Sequence, residues 1–316
     1  MPCVTFQCGT MELVGTVATG GRREGASAAP LLAPALIGLA VFAIGPTLLS
    51  VLWGGTDKSL TGSNWHWVGL ANLREATSDP AVQRAVGNTL AYCALTIVPA
   101  VALGLGLALL VDRVRRGRGL VRLLLFLPVT ANLVAMSVVF QYIFSSDRGG
   151  LANSLLSVIG VRPLDWLGSS PRSLFVVAIV GLWRLSSFVF VIYLSGLTAV
   201  PRTVFEAADV DGLRGWARFR WVTWPLLGPT TVFVLVLTTL LTLQTFETVA
   251  VLTQGGPLGG SETLVYRIWS VGFTPSFRIG YASLLSFMLL IVVIGIGALG
   301  SLAGRRLRQR VGQAAA

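Results

Sequence analysis

EAADVDGLRGWARFRWVTWP, from Glu206 to Pro225, is a charged stretch of 20 residues in a chain otherwise largely soluble in hydrocarbon. It carries Glu206, Asp209, Asp211, Arg214, Arg218 and Arg220, and it lies between two long apolar runs. A charged segment held at both ends by lipid-soluble runs is a candidate docking element for a partner protein. The alternative is an ordinary solvated loop whose charges only set topology. Its acidic residues argue against that, because topology follows the basic ones. Within the wider 198–225 loop the residues predict a short helix pair. Pro201 starts a helix, where its missing N–H costs nothing. Glu206 and Asp209 then place negative charge early, where the helix dipole favours it. Gly212 permits a sharp change of direction, Trp216, Phe219 and Trp221 supply apolar surface, and Pro225 opens the next apolar run.

The chain has 316 residues, 54% of them hydrophobic and 12% charged, with a mean hydropathy of +0.77. Soluble domains carry about 25% charged residues, so the composition is that of a membrane protein. A net charge of +11 suggests nucleic acid in a soluble protein. Here the basic residues flank apolar runs, and the membrane reading prevails. Cys3, Cys8 and Cys93 have no metal spacing, and the single His66 excludes a histidine cluster. No phosphate-binding loop is present: Asp57 stands where Lys58-Ser59 would need a glycine. No cofactor or metal ligand set is legible.

A helix crossing the bilayer needs about 20 mostly apolar residues. Six stretches qualify, approximately Leu31–Trp53, Gly87–Val111, Leu120–Phe144, Leu174–Leu197, Leu226–Leu252 and Tyr281–Ala303. Pro46, Pro99 and Pro128 fall inside them and are tolerated where neighbouring helices satisfy the freed carbonyls. Gly104, Gly106, Gly295 and Gly297 suit close helix packing in lipid. Of the 24 basic residues, 15 flank one face, 8 the other, and Arg184 lies within a span. The richer face holds the N-terminal segment, the 113–122 loop, the 198–225 loop and the C-terminal segment, so both termini are expected in the cytoplasm. The division expected is a cytoplasmic tail over 1–29, a six-helix transmembrane domain over 30–304 and a basic tail over 305–316. Trp65, Trp67 and Trp166 suit an interfacial belt. Glu262–Phe273 predicts a short external helix.

The 206–225 stretch fits E-A-A-x3-G-x9-V-x-W-P, with Glu206, Ala207, Ala208, Gly212, Val222 and Pro225 at the marked positions. It resembles the coupling motif of binding-protein-dependent ABC importer permeases, in which Ile stands for Val222 and Leu for Trp224. Further similarity lies in Val68–Asn72, Asp79-Pro80, Asn88–Leu90, Arg116–Gly119 with Phe126–Pro128, Gly149–Asn153, Trp166-Leu167, Leu194–Leu197 with Val200-Pro201, and Leu252–Pro257. It spans roughly 30–300 and is similar to the carbohydrate branch, which includes maltose and glycerol-3-phosphate permeases. Thr263-Leu264, Tyr266 and Gly272-Phe273 look most like the glycerol-3-phosphate members. The resemblance implies an all-α type I transmembrane domain of six helices with a cytoplasmic coupling helix. It further implies a bacterial plasma-membrane location, a second permease subunit, two ATPase subunits that hold ATP and Mg, and an external solute-binding protein. Glu206, Ala207, Ala208, Asp209, Gly212, Arg214 and Arg218 would contact the ATPase. The chain itself would be a non-catalytic subunit.

Charges inside spans are candidates for function. Arg184 and Glu247 either pair with one another or line a solute path with Thr242, Gln244 and Thr245; a structural charge held by backbone and water is the other reading. A phosphate-bearing solute would favour Arg184, whose guanidinium offers bidentate contacts. Gly255-Gly256-Pro257 is either a plain turn or a loop reaching toward a binding protein. A stand-alone secondary transporter of a small polar solute is the competing function, and it wants an internal repeat that the chain does not display. A membrane-embedded enzyme lacks any nucleophile or acid–base constellation.

Overall fold

The computed structural model describes residues 32–62, 64–114, 116–146, 149–274 and 276–314, with side chains as far as Arg306. The expected 1–29 tail, Cys3, Cys8, Arg115, Arg148 and the side chains of Arg308 and Arg310 lie outside the described residues.

Helix α1, Leu32–Gly54, is long and apolar enough to cross a membrane and contains a π-turn at Ala40–Ile44. Its first part, through Leu49, forms a unit distinct from Ser50–Ala316. In that second unit, α2 (Ala71–Ser78) leads into α3, Pro80–Arg113. The start of α3 is fixed by Asp79, whose carboxylate accepts the Ala81 N–H at 2.8 Å, and by Pro80 in the first turn. Next come α4, Arg118–Thr130, α5, Leu133–Ile143, α6, Leu151–Val158, and α7, Ser170–Ala199. Then come α8, Arg202–Val210, α9, Gly215–Leu226, α10, Gly228–Leu243, and α11, Glu247–Leu252. The chain ends with α12, Leu264–Phe273, and α13, Ile279–Ala314.

α3 and α7 are the centre. Cys93, Ile97, Ala100, Leu105 and Ala108 on α3 meet Leu185, Val189, Phe190, Tyr193 and Leu197 on α7, with Val234 of α10 closing the cluster. Gly104 permits the approach, since a Cβ there would stand 2.6 Å from Val189 Cγ1. Gly106, Gly295 and Gly297 meet nothing within 4 Å, so the packing expected of them is not seen. Outward faces such as Val98, Leu110 and Leu299 stay exposed, as lipid requires.

Among the described residues, four single helices have spanning length and apolarity, and two bent pairs bring the number to six if each is one span. The expected run Leu120–Phe144 is not one straight span. Its two parts, α4 and α5, meet at 94°. Ala131 is extended, and the Asn132 side chain caps a new helix by accepting from Val134 N at 2.9 Å and Ala135 N at 3.2 Å. The expected run Leu226–Leu252 is also broken: α10 stops at Leu243 and α11 restarts at Glu247. The last helix continues without a break to Ala314, through the stretch read as a tail. The indole N–H of Trp166 donates to Asn153 Oδ1 at 2.9 Å.

At the end of the bundle away from α8, the expected short helix is α12. Its Arg267 pairs with Asp79 at 3.3 Å and with Glu262 at 3.7 Å, and beside it Arg278, just before α13, pairs with Glu75 of α2 at 2.6 Å.

Candidate solute path and coupling elbow

The break between α10 and α11 is where polar chemistry enters the span. Gln244 ends one helix, Thr245 and Phe246 are non-helical, and Glu247 begins the next. The freed Thr245 carbonyl is met by the Thr263 hydroxyl at 3.1 Å, and the Thr245 hydroxyl donates to Tyr92 of α3 at 3.2 Å. Non-helical backbone at membrane depth is stable only where protein or a water-filled cavity satisfies it.

A cavity of about 390 Å³ opens at this break, within the few hundred Å³ typical of small-molecule sites. Arg184, Thr242, Gln244, Thr245 and Glu247 all line it, although they come from α7, α10 and the break. The two charged residues make no ion pair with each other among the described residues, so the pairing considered from sequence is not formed. Arg184, Gln244 and Glu247 are exposed in the isolated chain, whereas Thr242 is buried. A charge facing hydrocarbon at mid-span costs about 2.5–3.5 kcal/mol, so this open side belongs against water or protein. Tyr92 and Phe188 also line it and were not singled out from sequence. A hydroxyl-bearing Tyr inside the apolar run of α3 was the available signal for Tyr92.

At the opposite end of α10 the 198–225 segment forms an elbow. α8 begins at Arg202 with Pro201 outside it as cap, so Glu206 is mid-helix and Asp209 falls in the last turn. The expected dipole benefit is therefore absent. The Asp209 charge is met instead by Arg218 of α9 at 2.9 Å, and that guanidinium stacks on the Phe205 ring, 4.8 Å from its centroid. Gly212 turns the chain at φ +72°, a left-handed conformation suited to glycine. The turn is closed by Gly212 N–H to Asp209 O at 3.2 Å and Leu213 N–H to Ala208 O at 2.9 Å, the paired bonds of a Schellman cap. Glu206, Ala207, Gly212 and Arg214 are exposed; Ala208 is buried, and Arg218 is occupied within the elbow. Trp216 and Trp221 are largely exposed, while Phe219 packs on the core. The axis from α9 to α10 bends by 67°, with Pro225 before the bend and α10 starting at Gly228.

The loop holding Gly255, Gly256 and Pro257 is anchored, with Ser261 donating to Gly256 O at 2.6 Å, Arg84 to Leu258 O at 2.9 Å and Asn88 to Gly259 O at 2.8 Å. Leu258 stands out at its tip, 92% exposed.

Over residues 100–313 the chain matches the family described as binding-protein-dependent transport system inner membrane component. The chain belongs to this family. The permease is 31% identical over 269 residues to the sn-glycerol-3-phosphate transport system permease protein UgpA of Agrobacterium fabrum, covering 85% of this chain and 91% of that one. It is 32% identical over 272 residues to the lactose transport system permease protein LacF of Rhizobium radiobacter, covering 83% and 88%. To the trehalose/maltose transport system permease protein MalF of Thermococcus litoralis it is 30% identical over 267 residues, covering 83% and 88%. Its fold is similar to a chain of a bacterial alginate ABC transporter solved with a pentasaccharide-bound periplasmic protein, with TM-score 0.78, 21% identity, and 90% and 96% of the two chains covered. The permease is thus a multi-pass, all-helical membrane subunit of the carbohydrate type I ABC importer class.

Proposed function

We propose that this permease forms half of the translocation pore of an ATP-driven importer for a sugar or a glycerol-3-phosphate-like solute. The observation that carries the reading is the set of three polar side chains, Arg184, Gln244 and Glu247, exposed around one cavity inside lipid-length helices. A second permease subunit opposite them would close the path and remove the cost of facing lipid. The solute class is supported by the relatives, which are permeases of sn-glycerol-3-phosphate, lactose and trehalose/maltose transport systems.

The elbow faces the cytoplasm in this reading, and α8 is the contact for the ATPase subunits, which hold ATP and Mg. Glu206, Ala207, Gly212 and Arg214 present its accessible surface. Asp209 and Arg218 hold it rigid, and Ala208 seats it. α10 then carries the motion: its 16 residues span about 24 Å, joining the elbow directly to the Gln244–Glu247 break. On the other side, Gly255, Gly256 and Pro257 hold Leu258 toward an extracytoplasmic solute-binding protein.

Uptake into proteoliposomes holding the assembled transporter tests the function. Accumulation of labelled solute that requires binding protein outside and hydrolysable ATP on the elbow side is expected. Accumulation driven by an ion gradient without ATP overturns the proposal.

A further inference from the structure

A second concave region lies at the elbow end, where α3, α4, α7, α8 and α9 converge. It consists of two lobes of about 780 and 700 Å³ that share Asp112, Arg113, Leu197, Phe205, Asp209 and Arg218. Arg118 and Arg202 line one lobe and Arg214 the other, so five guanidiniums face three carboxylates, those of Asp112, Glu206 and Asp209. Two arginines are neutralised locally, Arg118 by Asp112 at 2.9 Å and Arg218 by Asp209 at 2.9 Å. Arg113, Arg202 and Arg214 make no ion pair among the described residues. The Nε of Arg118 is also buried without an acceptor, as is that of Arg122 one turn along α4. Buried donors of this kind call for an anionic oxygen.

The second lobe is not purely polar. Leu109, Trp216 and Phe219 line it beside the arginines, and Leu110, Leu120 and Leu124, close in sequence to Leu109 and to Arg118 of the first lobe, are exposed. A cleft in which each lobe holds one more arginine than carboxylates, with apolar side chains added in the second, has the chemistry to take an anionic phospholipid. Basic pockets at the ends of transmembrane helices bind such headgroups.

We propose that this cleft binds one anionic phospholipid. Its phosphate is held by Arg113, Arg118 and Arg202, and its glycerol and upper chains lie along Leu109, Leu197 and Phe219. Because α8 supplies Arg202 and Phe205, the lipid also braces the elbow against the bundle. The inference goes beyond the importer reading and needs neither the solute nor the ATPase to be as proposed.

Native mass spectrometry of the full chain in neutral detergent, titrated with phosphatidylglycerol or with phosphatidylcholine, tests it. Wild type is compared with Arg113→Gln/Arg202→Gln and with Arg162→Gln/Arg172→Gln at the opposite end of the bundle. Phosphatidylglycerol is expected to bind about tenfold tighter than phosphatidylcholine. That preference should fall to near unity in the first variant, persist in the second and survive excess inorganic phosphate. Equal binding of the two lipids by wild type overturns the proposal, as does a preference retained in Arg113→Gln/Arg202→Gln. Displacement by inorganic phosphate assigns the arginines to a free anion and overturns the lipid. Absence of lipid preference together with protection of these arginines by added ATPase assigns the cleft to the protein partner and likewise overturns it. Should the first variant fail to assemble, the wild-type headgroup ratio and the phosphate competition decide.

Discussion

Arg218 reaches back across the Gly212 turn to Asp209, 2.9 Å away, and lies over Phe205 of the same helix. The two arms of the elbow are thereby one mechanical piece. The pair is half-exposed, so its coupling energy should be about 0.5–1 kcal/mol. A double-mutant cycle with Asp209→Ala and Arg218→Ala, read by thermal unfolding in detergent, should return that value. Strict additivity of the two substitutions would mean the contact holds nothing.

Gly212 has φ +72°, which costs an L-residue about 1–2 kcal/mol. Gly212→Val should therefore destabilise the 202–215 segment by about that amount, with Gly212→Asn nearer the wild type. Hydrogen exchange across Ala207–Leu213 measures it. Equal protection in the valine and wild-type chains would contradict the cap assignment.

Arg184 and Glu247 line one cavity without pairing with each other among the described residues. Losing a hydrogen bond to a charged group costs about 1.5–3 kcal/mol, so Arg184→Ala should lower uptake roughly 10- to 100-fold. Co-purification with the second permease should be unchanged. Normal uptake by a stably assembled Arg184→Ala complex would remove Arg184 from the path. Glu247→Gln, which keeps the shape and removes the charge, should lower uptake less for a neutral solute than for a cationic one.

At the opposite end, hydrogen bonding to Arg278 holds the Glu75 carboxyl below its ordinary value of 4.5. Burial alone would raise Asp79, but the Ala81 N–H, Arg267 and Tyr281 outweigh it, and its net shift is also downward. A carboxylate shifted down stabilises the fold above its ordinary pKa and loses that contribution as pH falls through the lowered one. Glu262 runs the other way, because burial pushes its carboxyl up. Glu75→Gln should thus lower the melting temperature at pH 7 by about 1–3 °C, and the difference should shrink as pH falls below the ordinary carboxylate range and through the lowered pKa. A gap that is constant with pH would show that the ion pair is not its origin.

The family was legible because the elbow motif fixes residue types over one short stretch, and Gly212 shows why: it is the left-handed cap between α8 and α9. Span positions were legible from apolarity alone, but the span interruptions were not. Ala131 and Thr245 are ordinary in an apolar or threonine-rich run, and Asn132, a good helix cap, was a signal for one break that the reading of Leu120–Phe144 as a single span did not use. The early dipole role given to Glu206 and Asp209 failed because α8 is only nine residues long, so that Glu206, its fifth residue, is already at mid-helix and Asp209, its eighth, lies in the last turn. The cleft was hidden because Arg113, Arg118 and Arg202 counted only toward topology. Nothing in their spacing says that three separate helices bring them together.

Affinity purification of this chain from its native membrane in mild detergent, followed by mass spectrometry, addresses the central claim most directly. The account predicts that a second permease and an ATPase accompany it at one permease partner to two ATPase copies. With Glu206→Lys the second permease should remain and the ATPase should be lost. A chain that purifies alone, or one that retains its ATPase in full with Glu206→Lys, would contradict the account.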